Sequence, residues 1–216
     1  MLLKVKAFLK CSNVWPKKAK RQSVEDKDPK GSFSISEEIN MIKHLLSRHY
    51  DPSRYKHQHI DHLQRILTVS LFNLSGQYVG FQQYRPDETK KRNNDPRDSR
   101  YFTYASSDVC ALWGFESYDR TKTDVYVVEG IFKAATLHSL GLNALAVLTA
   151  NPVKMKSLLW LLSVNHNVIA IGDNDAAGAK LVKLVGRGFQ SDDVDEMTLD
   201  KVSDLIHNQH IETNNE

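Results

Sequence analysis

The chain has 216 residues, a formal net charge of +3 and nine histidines, an ordinary balance for a globular protein. This length allows one core with a small appended subdomain, but not two large domains. The two cysteines, Cys11 and Cys110, stand far apart, which excludes a CxxC zinc ribbon and favours a reducing, cytoplasmic compartment. No run reaches the roughly 18 apolar residues that a membrane span requires, so no membrane partner is expected.

The first part of the chain predicts a basic irregular lead over 1–35 and a mixed α+β subdomain over 36–120. Apolar residues at helical spacing predict a helix from about Glu37 to Arg48. Alternating residues between Leu67 and Tyr84, interrupted by a Ser-Gly turn, predict a β-hairpin.

A polar stretch with two prolines follows over 85–100 and predicts a long exposed loop. Its basic side chains are candidates for contact with nucleic acid phosphates, although a solvated loop of mixed charge has the same composition. These candidates are Arg85, Lys90, Lys91, Arg92 and Arg100. A short helix is predicted after the loop, from Asp108 to Trp113.

From residue 121 onward, apolar β-branched runs alternate with helical patterns, which predicts a parallel sheet with helices on both faces. The predicted strands are Val125–Val128, Leu145–Leu148, Val168–Ile171 and a short one at Gly188–Gln190. The predicted helices are Ile131–Leu140, Pro152–Leu162 and Ala176–Val185. This unit covers 121–197, and a last amphipathic helix from Thr198 to His210 belongs to a C-terminal region over 198–216.

Acidic residues follow three strands of this predicted sheet. Glu129 follows the first strand, Asp173 and Asp175 follow the third, and Asp193 and Asp195 follow the short fourth strand. Because parallel strands end at one edge, these carboxylates are expected to face one crevice. Crowded carboxylates repel one another, so a hard divalent cation such as Mg²⁺ is their natural counter-charge.

Each acidic motif also has a simpler explanation when it is taken alone. A Glu-Gly pair often marks only the end of a strand, and an aspartate before a helix often serves only as its cap. An acidic run such as 192–196 is often a solvated loop. The scattered histidines, without paired cysteines, are more often surface or packing residues, so no zinc site is evident.

Together, and in this order, the acidic motifs resemble those of the TOPRIM domain, which primases, topoisomerases and some nucleases share. The motifs are EGIFK at Glu129, DND at Asp173 and DVDE at Asp193, with valine in place of a proline. Upstream, FNLSGQYVGFQQYRP, RYFTYASS and ALWGFE resemble the primase subdomain. The resemblance implies an α/β fold, with a TOPRIM-like parallel sheet flanked by helices and an N-terminal mixed α+β primase-type subdomain.

The resemblance also implies a phage-type or bacterial DNA primase core that makes RNA primers on single-stranded DNA from ribonucleoside triphosphates. Glu129, Asp173 and Asp175 would be catalytic and, with Asp193 and Asp195, would hold Mg²⁺ or Mn²⁺. Arg100 and Tyr101 would face nucleotide or template. Lys133 departs from the family pattern, which has a carboxylate there, and it either weakens one metal site or contacts a phosphate.

The sequence contains no zinc-binding or helicase module, so a replicative helicase or a separate zinc-binding subunit is an expected partner. Two other functions stay open at this point. One is a metal-dependent nuclease that uses the same acids to activate water. The other is a non-catalytic accessory protein that binds nucleic acid during replication.

Overall fold

The structure is a computed structural model and describes residues 35–89, 95–105, 110–149 and 152–213. Its α-helices are α1 (Ile35–Ser47), α2 (Ile131–Ser139), α3 (Lys156–Ser163), α4 (Ala176–Val185) and α5 (Leu199–Thr213). Its strands are β1 (Gln58–Asp61), β2 (Ile66–Phe72), β3 (Tyr78–Tyr84), β4 (Tyr101–Ala105), β5 (Asp124–Val128), β6 (Ala144–Ala146), β7 (Asn167–Asp173) and β8 (Gly188–Ser191). The predicted basic lead lies outside the described residues, except for its last position.

Strands β5 to β8 form a parallel sheet with the order β6-β5-β7-β8. The predicted alternation of strands and helices is therefore confirmed. The prediction that the second of these strands runs to Leu148 is wrong, because pairing stops at Ala146 and Leu148 adopts a left-handed φ of 52°. A residue whose backbone has a left-handed φ does not continue a β-strand.

Helices cover both faces of the parallel sheet, as its apolar strands require. Side chains of β5 alternate between two cores: Tyr126 and Val128 pack with residues of α2 and α5, while Val125 and Val127 pack with residues of α3 and α4. Each fully buried aliphatic side chain stabilises such a core by roughly 1.5–3 kcal/mol. Among the described residues, no helix is both long and apolar enough to cross a bilayer.

Strands β1 to β4 form a separate antiparallel sheet in sequential order. The predicted hairpin is confirmed as β2 and β3, and its turn contains Gly76 at a φ of 75°. The inner face of this sheet, which includes Leu67 and Val69, packs with Met41 and Leu45 of α1. Strands β1 and β4 were not predicted, since neither has a clear alternation of buried and exposed residues.

The segment Leu112–Trp113 joins the two sheets. Leu112 exchanges backbone hydrogen bonds of 2.9 and 3.0 Å with Phe72 of the antiparallel sheet, and Trp113 exchanges bonds of 2.9 and 3.1 Å with Ala146 of the parallel sheet. The predicted helix from Asp108 to Trp113 is therefore wrong over its described residues, 110–113. Leu112 and Trp113 are extended because their backbone groups pair with two strands instead of with one another.

Two glycines allow α4 to begin directly against the end of β7. A Cβ atom on Gly178 would lie 2.1 Å from the backbone oxygen of Asp173, and one on Gly172 would lie 2.4 Å from the backbone oxygen of Gly178. Both distances are impossible for a real Cβ atom, and backbone atoms cannot swing aside as the end of a flexible side chain can. The close approach fixes the turn that contains Asp173 and Asp175.

We predict that Gly178→Ala destabilises the protein, although alanine is the better helix former. The gain in helix propensity is about 1 kcal/mol, whereas forcing a methyl group into packed backbone costs about 1–3 kcal/mol; the 2.1 Å contact favours the upper end. Urea unfolding measures the difference. Ala179→Ser adds one atom at the next, exposed position of α4 and is the control. Equal or greater stability of Gly178→Ala would contradict the packing argument.

Candidate active site at the carboxyl edge of the parallel sheet

The carboxyl ends of β5, β7 and β8 bring the predicted acidic residues to one edge. Val128 pairs with Ile171, and Asp173 pairs with Ser191, so all three strands end at nearly the same level. Glu129 directly follows β5, Asp173 is the last residue of β7, and Asp193 lies two residues after β8. The register of the sheet therefore converts three separate motifs into one cluster.

This edge forms one wall of a cavity of about 610 Å³, and the antiparallel sheet contributes to the opposite wall. Seven of the residues that the sequence predicted for the site line it: Tyr101, Glu129, Lys133, Asp173, Asp175, Asp193 and Asp195. Arg48 and Gln82 also line it and were not predicted. The cavity is large enough for a nucleotide-sized ligand.

Glu129 is only partly exposed, and its Oε1 atom is buried without a hydrogen-bond partner in the described part of the chain. Burial raises the pKa of Glu129, and the nearby charge of Asp175 raises it further, while Lys133 opposes the change. A desolvated carboxylate beside a second carboxylate favours a proton or a cation. Glu129 is therefore a suitable ligand for a positively charged partner.

Asp175 caps helix α4, as the sequence alone allowed. Its Oδ1 accepts hydrogen bonds of 2.8 Å from the backbone amides of Ala177 and Gly178. The side-chain amide of Gln190 donates to the backbone oxygens of Asp173 and Asp175, at 2.7 and 3.1 Å. Strand β8 thereby holds the acidic turn in place from the neighbouring position in the sheet.

Lys133 lies among these carboxylates, in the first turn of α2. Its side chain is 9% exposed, and its ammonium forms ion pairs with Asp173 and, at 2.9 Å, with Asp193. A cation at the amino end of a helix opposes the helix dipole by about 0.3–1 kcal/mol, and burial of an ammonium adds a larger cost. The two aspartates offset these costs, so the burial of the Lys133 ammonium depends on its ion pairs with them.

The donor types at this edge fit a hard cation, since Mg²⁺ and Mn²⁺ prefer carboxylate oxygens. The buried, unpartnered oxygen of Glu129 and the neighbouring Asp175 and Asp173 offer such oxygens. Between Asp173 and Asp193, however, the ammonium of Lys133 occupies the position that a metal ion would take. Within the described ranges, no three acidic, histidine or cysteine side chains are grouped closely enough to hold one ion as they stand.

Arg48 connects the cavity to the rest of the molecule. Its guanidinium pairs with Asp195, which is 1% exposed, and lies 4.1 Å from the ring centre of Phe132. It also donates hydrogen bonds to the hydroxyls of Tyr101, at 3.0 Å, and Tyr84, at 3.3 Å. Burial lowers the pKa of Arg48, but Tyr101 and Asp195 raise it by more. Arg48 thus joins α1, the antiparallel sheet, α2 and the last acidic loop.

The pairing of Asp195 with Arg48 separates it from the other predicted metal ligands. Its Oδ2 atom faces Arg48, and its Oδ1 atom is buried without a hydrogen-bond partner in the described part of the chain. Nothing in the sequence around Arg48 pointed to this contact, because 147 residues separate the two side chains. Asp195 is therefore engaged by Arg48 and not by the other acidic residues of the site.

The residues predicted to bind nucleotide or nucleic acid fall into three groups. Lys133 and Tyr101 line the cavity. Arg85 and Arg100 do not line it: Arg85 donates to the side chain of Gln83 at 2.7 Å, and Arg100 donates to the backbone of Glu88 at 2.6 Å. Lys90, Lys91 and Arg92 lie outside the described residues.

We predict that Arg48→Met lowers the free energy of unfolding by about 3 kcal/mol, because it leaves the carboxylate of Asp195 buried without its partner. Methionine keeps the apolar stem over Phe132, so mainly the charge is lost. Arg97→Met is the control, since its ion pair with Asp95 is exposed and its loss should leave stability almost unchanged. Equal effects of the two substitutions in urea unfolding would contradict a structural role for the Arg48–Asp195 pair.

We predict that Glu129→Gln stabilises the metal-free protein at neutral pH. A carboxyl group whose pKa is raised on folding contributes stability below that pKa and loses it as the pH rises through it. The gain from Gln should therefore be largest at neutral pH and should shrink as the pH falls toward 4.5, the ordinary value for the group. Thermal unfolding in EDTA from pH 4 to pH 8 measures it, with exposed Asp204→Asn as control. A gain in stability that does not change with pH would contradict a raised pKa for Glu129.

No protein-family model and no curated protein matches the chain. Solved structures similar to it include a DnaG primase catalytic domain bound to ssDNA, with 18% identity, 79% of this chain and 58% of that chain covered, and a TM-score of 0.50. The Aquifex aeolicus primase fragment has 23% identity, coverage of 66% and 40%, and a TM-score of 0.48. The bacteriophage T7 primase fragment has 17% identity, coverage of 67% and 61%, and a TM-score of 0.48.

The chain spans less than two thirds of the length of each of these solved structures. Its parallel sheet, flanking helices and attached antiparallel sheet form the scaffold on which the acidic cavity lies. At these low sequence identities, the structural similarity establishes a common fold. The chain therefore has the fold of a DnaG primase catalytic domain.

Proposed function

We propose that this chain is the catalytic core of a DNA primase, which joins ribonucleotides into a short primer on a single-stranded DNA template. The observation that carries the proposal is the cluster of Glu129, Asp173, Asp175 and Asp193 at one wall of the cavity, within a primase catalytic fold. Nucleotidyl transfer on such a site needs alignment and charge stabilisation more than covalent chemistry. The cluster is suited to both.

In this proposal, Glu129 and Asp175, with an oxygen of Asp173, hold Mg²⁺ or Mn²⁺. A bound ion of this kind supplies Lewis acidity, which favours ionisation of a primer hydroxyl and neutralises the leaving pyrophosphate. The cap bonds of Asp175 and the contacts of Gln190 restrict the acidic turn to one arrangement before any ligand binds. Positioning of this kind reduces the reorganisation that the reaction requires.

The opposite wall of the cavity is the proposed place for the template and the nucleotide base. Tyr101 is 39% exposed there and is held by Arg48, so its ring offers a fixed surface for stacking. Lys133 supplies a positive charge beside the acids. Arg85, Lys90, Lys91, Arg92 and Arg100 stay predicted contacts to nucleic acid phosphates.

Two further expectations from the sequence belong to the proposal. A replicative helicase or a separate zinc-binding protein is the expected partner in selecting a template start. The expected place of action is the cytoplasm, or the host cytoplasm if a phage encodes the protein. Measuring primer synthesis with and without such partners would test the first of these predictions.

We predict that Asp173→Asn and Asp175→Asn each lower primer synthesis by at least about 100-fold, as expected when an electrostatic contact to the reacting groups is lost. The assay contains the protein, single-stranded DNA, Mg²⁺ and labelled ribonucleoside triphosphates. Asp204→Asn, an exposed position of α5, is the matched control and should retain the activity of the unchanged protein.

The same assay separates the alternatives. Shortened DNA in the absence of ribonucleotides would favour a metal-dependent nuclease over a primase. DNA binding without synthesis or cleavage, unaffected by either aspartate substitution, would favour a non-catalytic accessory protein. Either result would overturn the proposal.

A further inference from the structure

The position of Lys133 in its helix is locally unfavourable for a lysine. It is the third residue of α2, where the positive end of the helix dipole favours an acidic residue, and its side chain is 91% buried, since 9% is exposed. No side chain caps this end of α2, because the cap residue is Gly130. A residue that breaks a local rule in this way often serves a site and not the fold.

The charges around Lys133 divide the acidic cluster into two parts. Asp173 and Asp193 already share a cation, because the ammonium lies between them. Glu129 and Asp175 line the same cavity, and Oε1 of Glu129 is buried without a hydrogen-bond partner in the described part of the chain. The cluster therefore holds one fixed positive charge and one place where a positive charge is still required.

We infer that Lys133 serves as a built-in cation, so that this site takes a single divalent ion, held by Glu129 and Asp175 with an oxygen of Asp173, where a two-metal site would take a second ion between Asp173 and Asp193. The inference rests on the proposed function, since it concerns the ion that the proposed reaction would use. In two-metal sites each ion neutralises one of the oxygens that gain charge. A fixed ammonium supplies the same sign of charge but does not dissociate.

The ammonium is enclosed by the acids that it neutralises. Its Nζ atom is itself buried, so the exposed 9% of the side chain belongs to other atoms. The two carboxylates hold this nitrogen at the wall of the cavity. Lys133 is therefore placed as a permanent counter-charge for Asp173 and Asp193.

The stoichiometry of Mn²⁺ binding tests the inference, with Mn²⁺ alone as the probe. Electron paramagnetic resonance and isothermal titration calorimetry on the full chain count the bound ions. The unchanged protein is expected to bind one Mn²⁺ per chain. Lys133→Glu removes the ammonium, adds a carboxylate suited to the start of α2, and is expected to bind two.

A second variant and a charge-matched control keep the test decisive. Lys133→Gln removes the charge with little change in size, so it is also expected to bind a second, weaker ion. It takes the place of Lys133→Glu in the test if circular dichroism shows that Lys133→Glu does not fold. Lys183→Glu makes the same charge change on the exposed face of α4 and should still bind one ion. A second ion in this control would mean that net charge, and not the position of Lys133, sets the number.

The outcomes separate this inference from the proposed function. Two Mn²⁺ ions on the unchanged protein, or one ion on both Lys133 variants, would overturn the built-in cation and leave the primase proposal standing. No Mn²⁺ on any form would overturn both. One ion on the unchanged protein and two on Lys133→Glu would support both.

Discussion

Repulsion among carboxylates at one edge of the parallel sheet is the constraint on which the site depends. Glu129, Asp173, Asp175 and Asp193 reach this edge because three parallel strands end together. The sheet fixes their positions through its backbone hydrogen bonds, so the side chains cannot relax by moving the strands apart. The molecule meets the constraint with a buried ammonium, a helix cap and one carboxylate that lacks a partner. The ammonium and the helix cap neutralise or bind carboxylates within the protein. The carboxylate without a partner leaves a negative charge that a bound cation can neutralise.

The cavity exists because the antiparallel sheet is fixed opposite this edge. The segment Leu112–Trp113 pairs with a strand of each sheet, so the separation of the sheets is set by backbone hydrogen bonds. Arg48 adds a second connection through Asp195, Tyr84 and Tyr101. Loss of either partner of this pair would leave a charge buried alone, so its removal is costly even if its net contribution is small. We infer that its main effect is to hold Tyr101 at the cavity wall.

The sequence predicted the parallel half of the fold well, because its features are local. Runs such as 125–128 and 168–171 have a clear apolar character, and the helices between them have regular spacing. The acidic residues at their ends followed from a general property of parallel sheets. The start of α4 could also be predicted from neighbouring residues, because the capping residue Asp175 directly precedes the helix.

What the sequence did not predict depends on contacts between distant residues. Strands β1 and β4 are held by their neighbours in the sheet, and Leu112–Trp113 is extended because it pairs with Phe72 and Ala146. Arg48 was overlooked because its partner is 147 residues away. For Lys133, the sequence left open whether it weakens a metal site or contacts a phosphate; its ion pairs with Asp173 and Asp193 became visible only when α2 and β7 were placed side by side.

The central claim is that carboxylates from separate strands share one cation at this edge. The most direct measurement is anomalous diffraction from crystals of the protein that contain Mn²⁺. The account predicts an anomalous peak coordinated by Glu129 and Asp175, with Lys133 still paired with Asp193. An absence of any peak at this edge in fully soaked crystals, or a peak bound without Glu129, would contradict it.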